Sequence, residues 1–411
     1  MPKVLWQPDA RSASRSNLGR FCGGFASPAA ALEWSERDRE EFWAAVWRFC
    51  GVQSATPWGA VRDGSGWFPG ARLNYAANIL RYRDQTPALI VFDPHGRRRA
   101  LTFRELTGEV SRFEQALAAA GVRAGDVVAA CLPNIPEALI ALLAASSLGA
   151  AFAGAPTRVG VDALMRRFAL AAPRVLVGVD LLPLLDGLNT AIASVRQTIV
   201  VTIEDLRPDL SSIPRCLRWR DAMAFYTPRA LRLEPFPFSH PLCIGFDRAS
   251  SASRTHASGA VLLRHLADVV LHHDVRPTDR VLCVAPVGTM AWYWSAAALA
   301  TGATVILADP AKAGEIWDLA AAERAQVLAV LPADLTPPIE ELDLSSLRVV
   351  FTGVNPVDAE LLAALCRRLP GVRPSVGAGD PLNLACEALG HPLAPVVAGE
   401  PPPKALGGLL D

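Results

Sequence analysis

The chain has 411 residues, 51% of them hydrophobic, which is enough to bury two or more packed subdomains and excludes a disordered chain. Forty basic residues balance forty acidic ones, so bulk electrostatics give no case for nucleic acid or an anionic membrane surface as partner. Lys3, Lys312 and Lys404 are its only lysines, and any mechanism that needs one has three candidates.

Residues 1–85 lack strand character and carry Trp6, Trp34, Trp43, Trp47 and Trp67. They read as a helical arm whose rings pack on the main body, since each ring buries a large apolar area. Within SERDREEFWAAVWRF, Ser35 and Asp38 fit a loose capping box, and Phe42, Val46 and Phe49 share one helical face. Met1 to Arg20 has no apolar stretch of signal-peptide type. Cys22, Cys50, Cys131, Cys216, Cys243, Cys283, Cys366 and Cys386 form no CxxC pair and read as buried thiols. Both observations fit a cytoplasmic location.

From about residue 86 short apolar runs alternate with helical periodicity. Strands are expected at 88–92, 127–132, 175–179 and 198–201, with helices at 103–120, 136–148 and 161–171 between them. The rhythm continues through strands at 281–285, 304–308, 327–331 and 347–351. Such alternation implies βαβ units, so the fold class is α/β with stacked, helix-flanked, parallel-type sheets. The expected organisation is an arm (1–85), a first α/β subdomain (86–235), a second (236–385) and the start of a following β segment (386–411). The nearly uncharged stretch from Ala138 to Pro156 has membrane-span length, but its serines, its glycines and the preceding Pro136 split it into a helix and a strand.

Ligands of open α/β sheets bind beyond the carboxyl ends of the strands. The loop after Phe246 holds Ser250, Ser251, Ser253 and Thr255 ahead of a helix, hydroxyls and amides able to wrap an anion. It has Arg248 and Arg254 as cations and no lysine. His265, His272 and His273, at spacings of seven and one, do not make a compact metal site and read as surface or satisfied histidines, so no metal ligands are assigned. No GxSxG elbow follows a strand, which leaves a Ser/His/Asp hydrolase unsupported.

The blocks WFPGARLNYAANIL, EWSERDREEFWAAVW, LTFRELTGEVSRFEQALAAAGVRAGDVVAACLPNIPEALIALLAASSLGA and LLRHLADVVLHHDVRPTDRVLCVAPVGTMAWYW make the chain resemble the acetoacetyl-CoA synthetase group of adenylate-forming acid–CoA ligases. That resemblance implies ATP or AMP with Mg²⁺ and CoA as cofactors, and a small carboxylic or 3-oxo acid as ligand. It places the phosphate loop at 246–255, with Ser250, Ser251, Ser253, Arg254 and Thr255 as its polar groups. It also places nucleotide contacts at Gly353, Asn355, Gly377, Gly379 and Asp380, and an acid pocket at Gly288, Met290, Trp292 and Trp294. The sequence departs from the family at three places. Ala249 and Ala252 stand where glycines are expected and no lysine closes the loop; Gly379 stands where a threonine hydroxyl is expected; and the family's small lysine-bearing domain lies beyond the pattern matched here. These departures lead to the expectation of a protein impaired in adenylation on its own, with no catalytic residue assigned. The alternatives are a non-catalytic accessory protein of the same fold, or the large half of a split ligase whose partner protein supplies the small domain.

Overall fold

The computed structural model describes residues 3–25, 27–92, 98–203, 207–247, 252–309, 313–330, 335, 342–352, 357–378, 380–398, 400–408 and 410. Two seven-stranded sheets dominate it. The first runs, edge to edge, Cys216–Arg218, Gln197–Val201, Val175–Val179, Val127–Cys131, Ala151–Ala155, Pro241–Phe246 and Ser253–Ala257. The second runs Arg373–Ser375, Val349–Phe351, Val327–Ala329, Arg280–Cys283, Thr304–Leu307, Pro87–Phe92 and Arg98–Thr102. In each sheet every pair is parallel except the last, which is an antiparallel edge hairpin.

Continuous apolar runs are what strands covered on both faces require, and the two-residue repeat of a strand sorts their side chains between layers. Val128 and Ala130 face the central core while Ala129 and Cys131 face an outer one. Leu89 and Val91 point to the centre while Ile90 joins Leu282, Ile306, Leu328 and Val350 on the far side of the second sheet. The central layer holds helices Pro136–Ser147 and Met290–Leu299, both buried all round. Sheet membership does not follow the boundary near residue 235. The hairpin at 87–102 belongs to the second sheet and the hairpin at 241–257 to the first, so the chain crosses between sheets twice.

The stretch from Ala138 to Pro156 is the end of helix Pro136–Ser147 and then strand Ala151–Ala155, and no described helix is long and apolar enough to cross a membrane. The arm packs into the central core through Phe42, Trp43, Val46 and Trp47, while Phe49 is 40% exposed. The capping box at Ser35 and Asp38 does not form. Helix Pro28–Arg37 starts earlier, with Ser27 accepting from the Ala30 amide and a proline at the helix start, and it carries Ser35 in its interior. Ser35 Oγ donates to the Leu32 carbonyl, and Asp38 begins the next helix without a side-chain capping bond.

The LNYAAN block is structural. Asn74 caps helix Tyr75–Ile79 by accepting from the Ala77 amide, and its Nδ2 donates to the carbonyls of Ser146, Ser147 and Glu234. Trp43 Nε1 donates to the Gly407 carbonyl at 3.1 Å. Gly407 has φ +74°, and a Cβ there would lie 2.2 Å from the Phe42 ring, so this contact requires glycine.

Candidate functional site

The candidate site lies where the edge hairpin of the first sheet meets the chain that leaves the second. Strands Val349–Phe351 and Arg373–Ser375 are parallel neighbours with Phe351 opposite Ser375, so their carboxyl ends emerge side by side. Thr352 follows the first and Gly377 lies two residues beyond the second. Gly353, Asn355 and Gly379 fall outside the described residues, as do Arg248, Ser250 and Ser251 of the phosphate-loop stretch. Gly377 is buried and opposite Leu389 in a two-stranded ladder. Asp380 is exposed, and its Oδ1 accepts from the Leu382 amide at 2.9 Å, which makes it the capping residue of its own turn. Thr352 Oγ1 is buried without a hydrogen-bond partner.

Ser253, Arg254 and Thr255 were expected in a loop at a helix N-terminus, and the structure corrects this. They form strand Ser253–Ala257, with Ser253 opposite Phe246, Arg254 opposite Gly245 and Thr255 opposite Ile244. Only after Ala257 does helix Ser258–Leu266 begin. The antiparallel pair satisfies backbone groups that a free loop would leave to a ligand, and the Asp247 amide donating to the Ala252 carbonyl closes the hairpin. The three side chains are exposed, and the Arg254 guanidinium donates to Asn383 Oδ1 across the gap between the sheets. His256, which the sequence reading passed over, is 9% exposed. Burial pushes its pKa down to about 4; the nearby Leu382 carbonyl works against this without making a hydrogen bond of good geometry, and the Arg254 charge adds to the depression.

A cavity of about 170 Å³ opens beneath this strand. Its walls are the strand from Arg254 to Ala257, one face of the helix (Ala260, Val261, Arg264), the chain from Asn383 to Ala385, and Leu410. Val261 and Arg264 point the same way because three or four residues make about one helical turn. Arg264 is 2% exposed; its Nε donates to Asp268 Oδ1 at 2.9 Å and its Nη1 to the Leu406 and Gly408 carbonyls. Desolvation raises the Asp268 pKa while the Arg264 charge opposes that rise.

The residues assigned to an acid pocket are in the central core and do not line this cavity. Gly288 has φ +83°, and a Cβ there would lie 2.3 Å from the Gly154 carbonyl oxygen, so the two sheets are pinched together at this point. Met290, Trp292 and Trp294 are 4%, 0% and 3% exposed. A two-residue step turns a helix by about 200°, so the two tryptophans leave opposite sides of helix Met290–Leu299. Trp292 stacks on Phe152 of the first sheet (5.9 Å, 17°) and Trp294 packs on Phe351 of the second (4.1 Å). Neither indole N–H has a hydrogen-bond partner.

Two of the three histidines, His272 and His273, differ from expectation. His265, His272 and His273 are all buried, and of their rings only that of His265 has a hydrogen-bond partner, its Nε2 lying 2.7 Å from the Leu384 carbonyl. His265 belongs to helix Ser258–Leu266 and His272 to the π-helical segment Ala267–His272 that continues it, with His273 capping its end, and the apolar side chains among them turn this whole face inward. Among the described residues no cluster of histidine, cysteine and carboxylates could hold a metal ion.

The AMP-binding enzyme family matches residues 77–227 and 253–379 of the chain, and the acetyl-coenzyme A synthetase N-terminal family matches residues 29–79. The chain belongs to the AMP-binding enzyme family. An acetoacetyl-coenzyme A synthetase of Rhizobium meliloti (strain 1021) is 32% identical over all of this chain and 69% of its own length. The acetoacetyl-CoA synthetase of Macaca fascicularis is 29% identical over all of this chain and 68% of its own. The solved acetoacetyl-CoA synthetase from Streptomyces lividans superposes with a TM-score of 0.89 at 28% identity, covering 99% of this chain and 69% of that one. The adenylate-forming fold of acetoacetyl-CoA synthetase type is therefore shown. The family match is interrupted between residues 227 and 253, across the strand and hairpin loop of the candidate phosphate site.

Proposed function

We propose that the protein is an acetoacetyl-CoA synthetase-type acid–CoA ligase fold that takes a small carboxylic or 3-oxo acid and forms little acyl-adenylate on its own. The observation that carries this reading is Arg254. It is the described cation nearest the family's lysine position, yet it sits on a strand and donates to Asn383, beside a turn that Asp380 caps with its own carboxylate.

ATP with Mg²⁺ supplies the adenylyl group, and CoA the thiol, for ligases of this family. The described residues fit a triphosphate poorly. Ser253 and Thr255 are locked in a ladder, Ala252 adds a β-carbon where backbone would have to approach phosphate, and the buried Thr352 hydroxyl is out of reach of solvent. The interruption of the family match at this same hairpin, and the relatives' names, support the reading.

Losing one preorganised charge-stabilising contact costs about 3 kcal/mol, roughly a hundredfold in rate, so the combined departures put turnover near background. The test is pyrophosphate release and adenylate detection with acetoacetate and butyrate, with and without CoA. Robust turnover by the chain alone that is lost in Arg254→Ala overturns the proposal. Adding the lysine-bearing small domain of a relative in trans separates two versions: restored turnover supports a split ligase, and continued silence supports a binding protein.

A further inference from the structure

The cavity beneath strand Ser253–Ala257 has a chemistry of its own at the edge of the central core, whose members Val261 and Leu384 line it while Trp292 and Trp294 do not. Two arginines and a histidine line it, and among its described lining residues there is no carboxylate. The two arginines differ in what they have left to offer. Arg264 is neutralised by Asp268 and spends its remaining donors on two backbone carbonyls. Arg254 touches only the neutral side chain of Asn383, so its charge has no counterion among the described residues.

His256 is nine-tenths buried and lines the cavity, and its Nε2 has the Leu382 carbonyl nearby without a hydrogen bond of good geometry. A buried polar atom left unpaired costs free energy that a ligand or water would recover. Helix Ser258–Leu266 begins at the cavity wall with Ala257 at its cap, a residue with no side-chain oxygen, and its dipole favours negative charge there. The other walls, among them Val261 and Leu384, are apolar. They suit a short hydrocarbon tail and would strip the hydration shell from an inorganic anion without replacing it.

We propose that this cavity binds a short-chain organic carboxylate, its head at Arg254 and His256 and its tail against Val261 and Leu384. The site does not rest on adenylation and lies apart from Trp292.

The experiment is calorimetric titration of the purified chain with butyrate, acetoacetate, butyramide and inorganic phosphate, with thermal melts to confirm folding. The expected result is saturable binding of both carboxylates and none of butyramide or phosphate. Arg254→Gln, at an exposed position, weakens butyrate about tenfold, as expected for loss of a charge-assisted bond. Ala260→Leu fills the cavity and abolishes binding, whereas Trp292→Phe leaves it unchanged. Three results overturn the proposal: phosphate binding as well as butyrate; no saturable heat with any carboxylate; or binding that survives Arg254→Gln and Ala260→Leu and is lost in Trp292→Phe. The last would return the acid to the central helix and leave the proposed ligase reading standing. Pyrophosphate release, measured separately, reports on that reading alone.

Discussion

Acid should unfold this protein earlier than its net charge suggests, because five of its described histidines are buried. His256, His265 and His391 are 9%, 0% and 6% exposed. Desolvation is the main cause that pushes them down to about 4, about 3 and about 4, and Arg254, Arg264 and Arg373 respectively add to it. His272 and His273 are depressed for the same reason, with Arg264 and Arg373 again close. An unfolded histidine titrates near 6.5, so below that value the unfolded chain binds more protons than the folded one. Stability is therefore complete above about pH 6.5 and is lost as pH falls toward the folded values. At about pH 5.5 each unfolded histidine gains about 1.4 kcal/mol from protonation while the folded ring stays neutral, so His256, His265 and His391 together cost about 4 kcal/mol. Asp268, Asp279 and Glu137 are raised by burial and titrate with the opposite sign, while His272 and His273 add to the loss in the same direction as the three counted. Against a total of about 5–15 kcal/mol the loss is large. Urea unfolding at pH 7.5 and pH 5.5 measures it, and His391→Gln should remove roughly a third of the three-histidine difference. Equal unfolding free energies at the two pH values would refute the reasoning, as would a difference unchanged when all three histidines are replaced.

Other outcomes follow from packing. Thr102 accepts from the Glu105 amide while the Glu105 side chain accepts from the Thr102 amide, so Thr102→Ala should cost about 1 kcal/mol in denaturant unfolding. Gly288→Ala places a Cβ 2.3 Å from the Gly154 carbonyl at φ +83°, and should lower stability by about 1–3 kcal/mol or more, visible as a lower melting temperature. Trp292→Ala should cost about 3–5 kcal/mol as a core truncation. Lys404 pairs with Glu36 at 3.1 Å on the surface, so Lys404→Ala should change unfolding by less than about 1 kcal/mol and leave any residual adenylation unaffected.

The sheets were legible because buried parallel strands are written as short apolar runs between periodic helices. Val175–Val179 and helix Val161–Ala171 have the expected bounds, and most other elements end within two residues of theirs. The strand Ser253–Ala257 was not legible. SRTHA has neither an apolar run nor strict alternation, and what makes it a strand is pairing with Pro241–Phe246, a tertiary effect that local pattern does not carry. His272 and His273 were misplaced for a related reason. A helix that buries every side is apolar all round, and its few polar residues look like a solvated face until the neighbouring elements are in place.

The candidate site was half legible, and the two edge hairpins show why. Each hairpin ends a sheet and runs straight into a helix, Arg98–Thr102 into Phe103–Ala119 and Ser253–Ala257 into Ser258–Leu266. At the first junction the local rules agree, with threonine at the cap and glutamate three residues on closing the helix start. At the second they fail together: alanine stands at the cap, a histidine is buried without a bond at Nε2, and an arginine faces an asparagine instead of a carboxylate. Natural sequences tend to break local rules where function requires it. The motif reading found this hairpin through its hydroxyls, but the groups with unmet bonding or charge around the cavity are Arg254 and His256, of which the sequence reading named only Arg254. Their meaning comes from Asn383 and Leu384, which lie more than a hundred residues away and reach the hairpin only because the second sheet delivers the chain there. A reading by motif identifies the family from such a hairpin; the identity of its ligand depends on what the other sheet places opposite it.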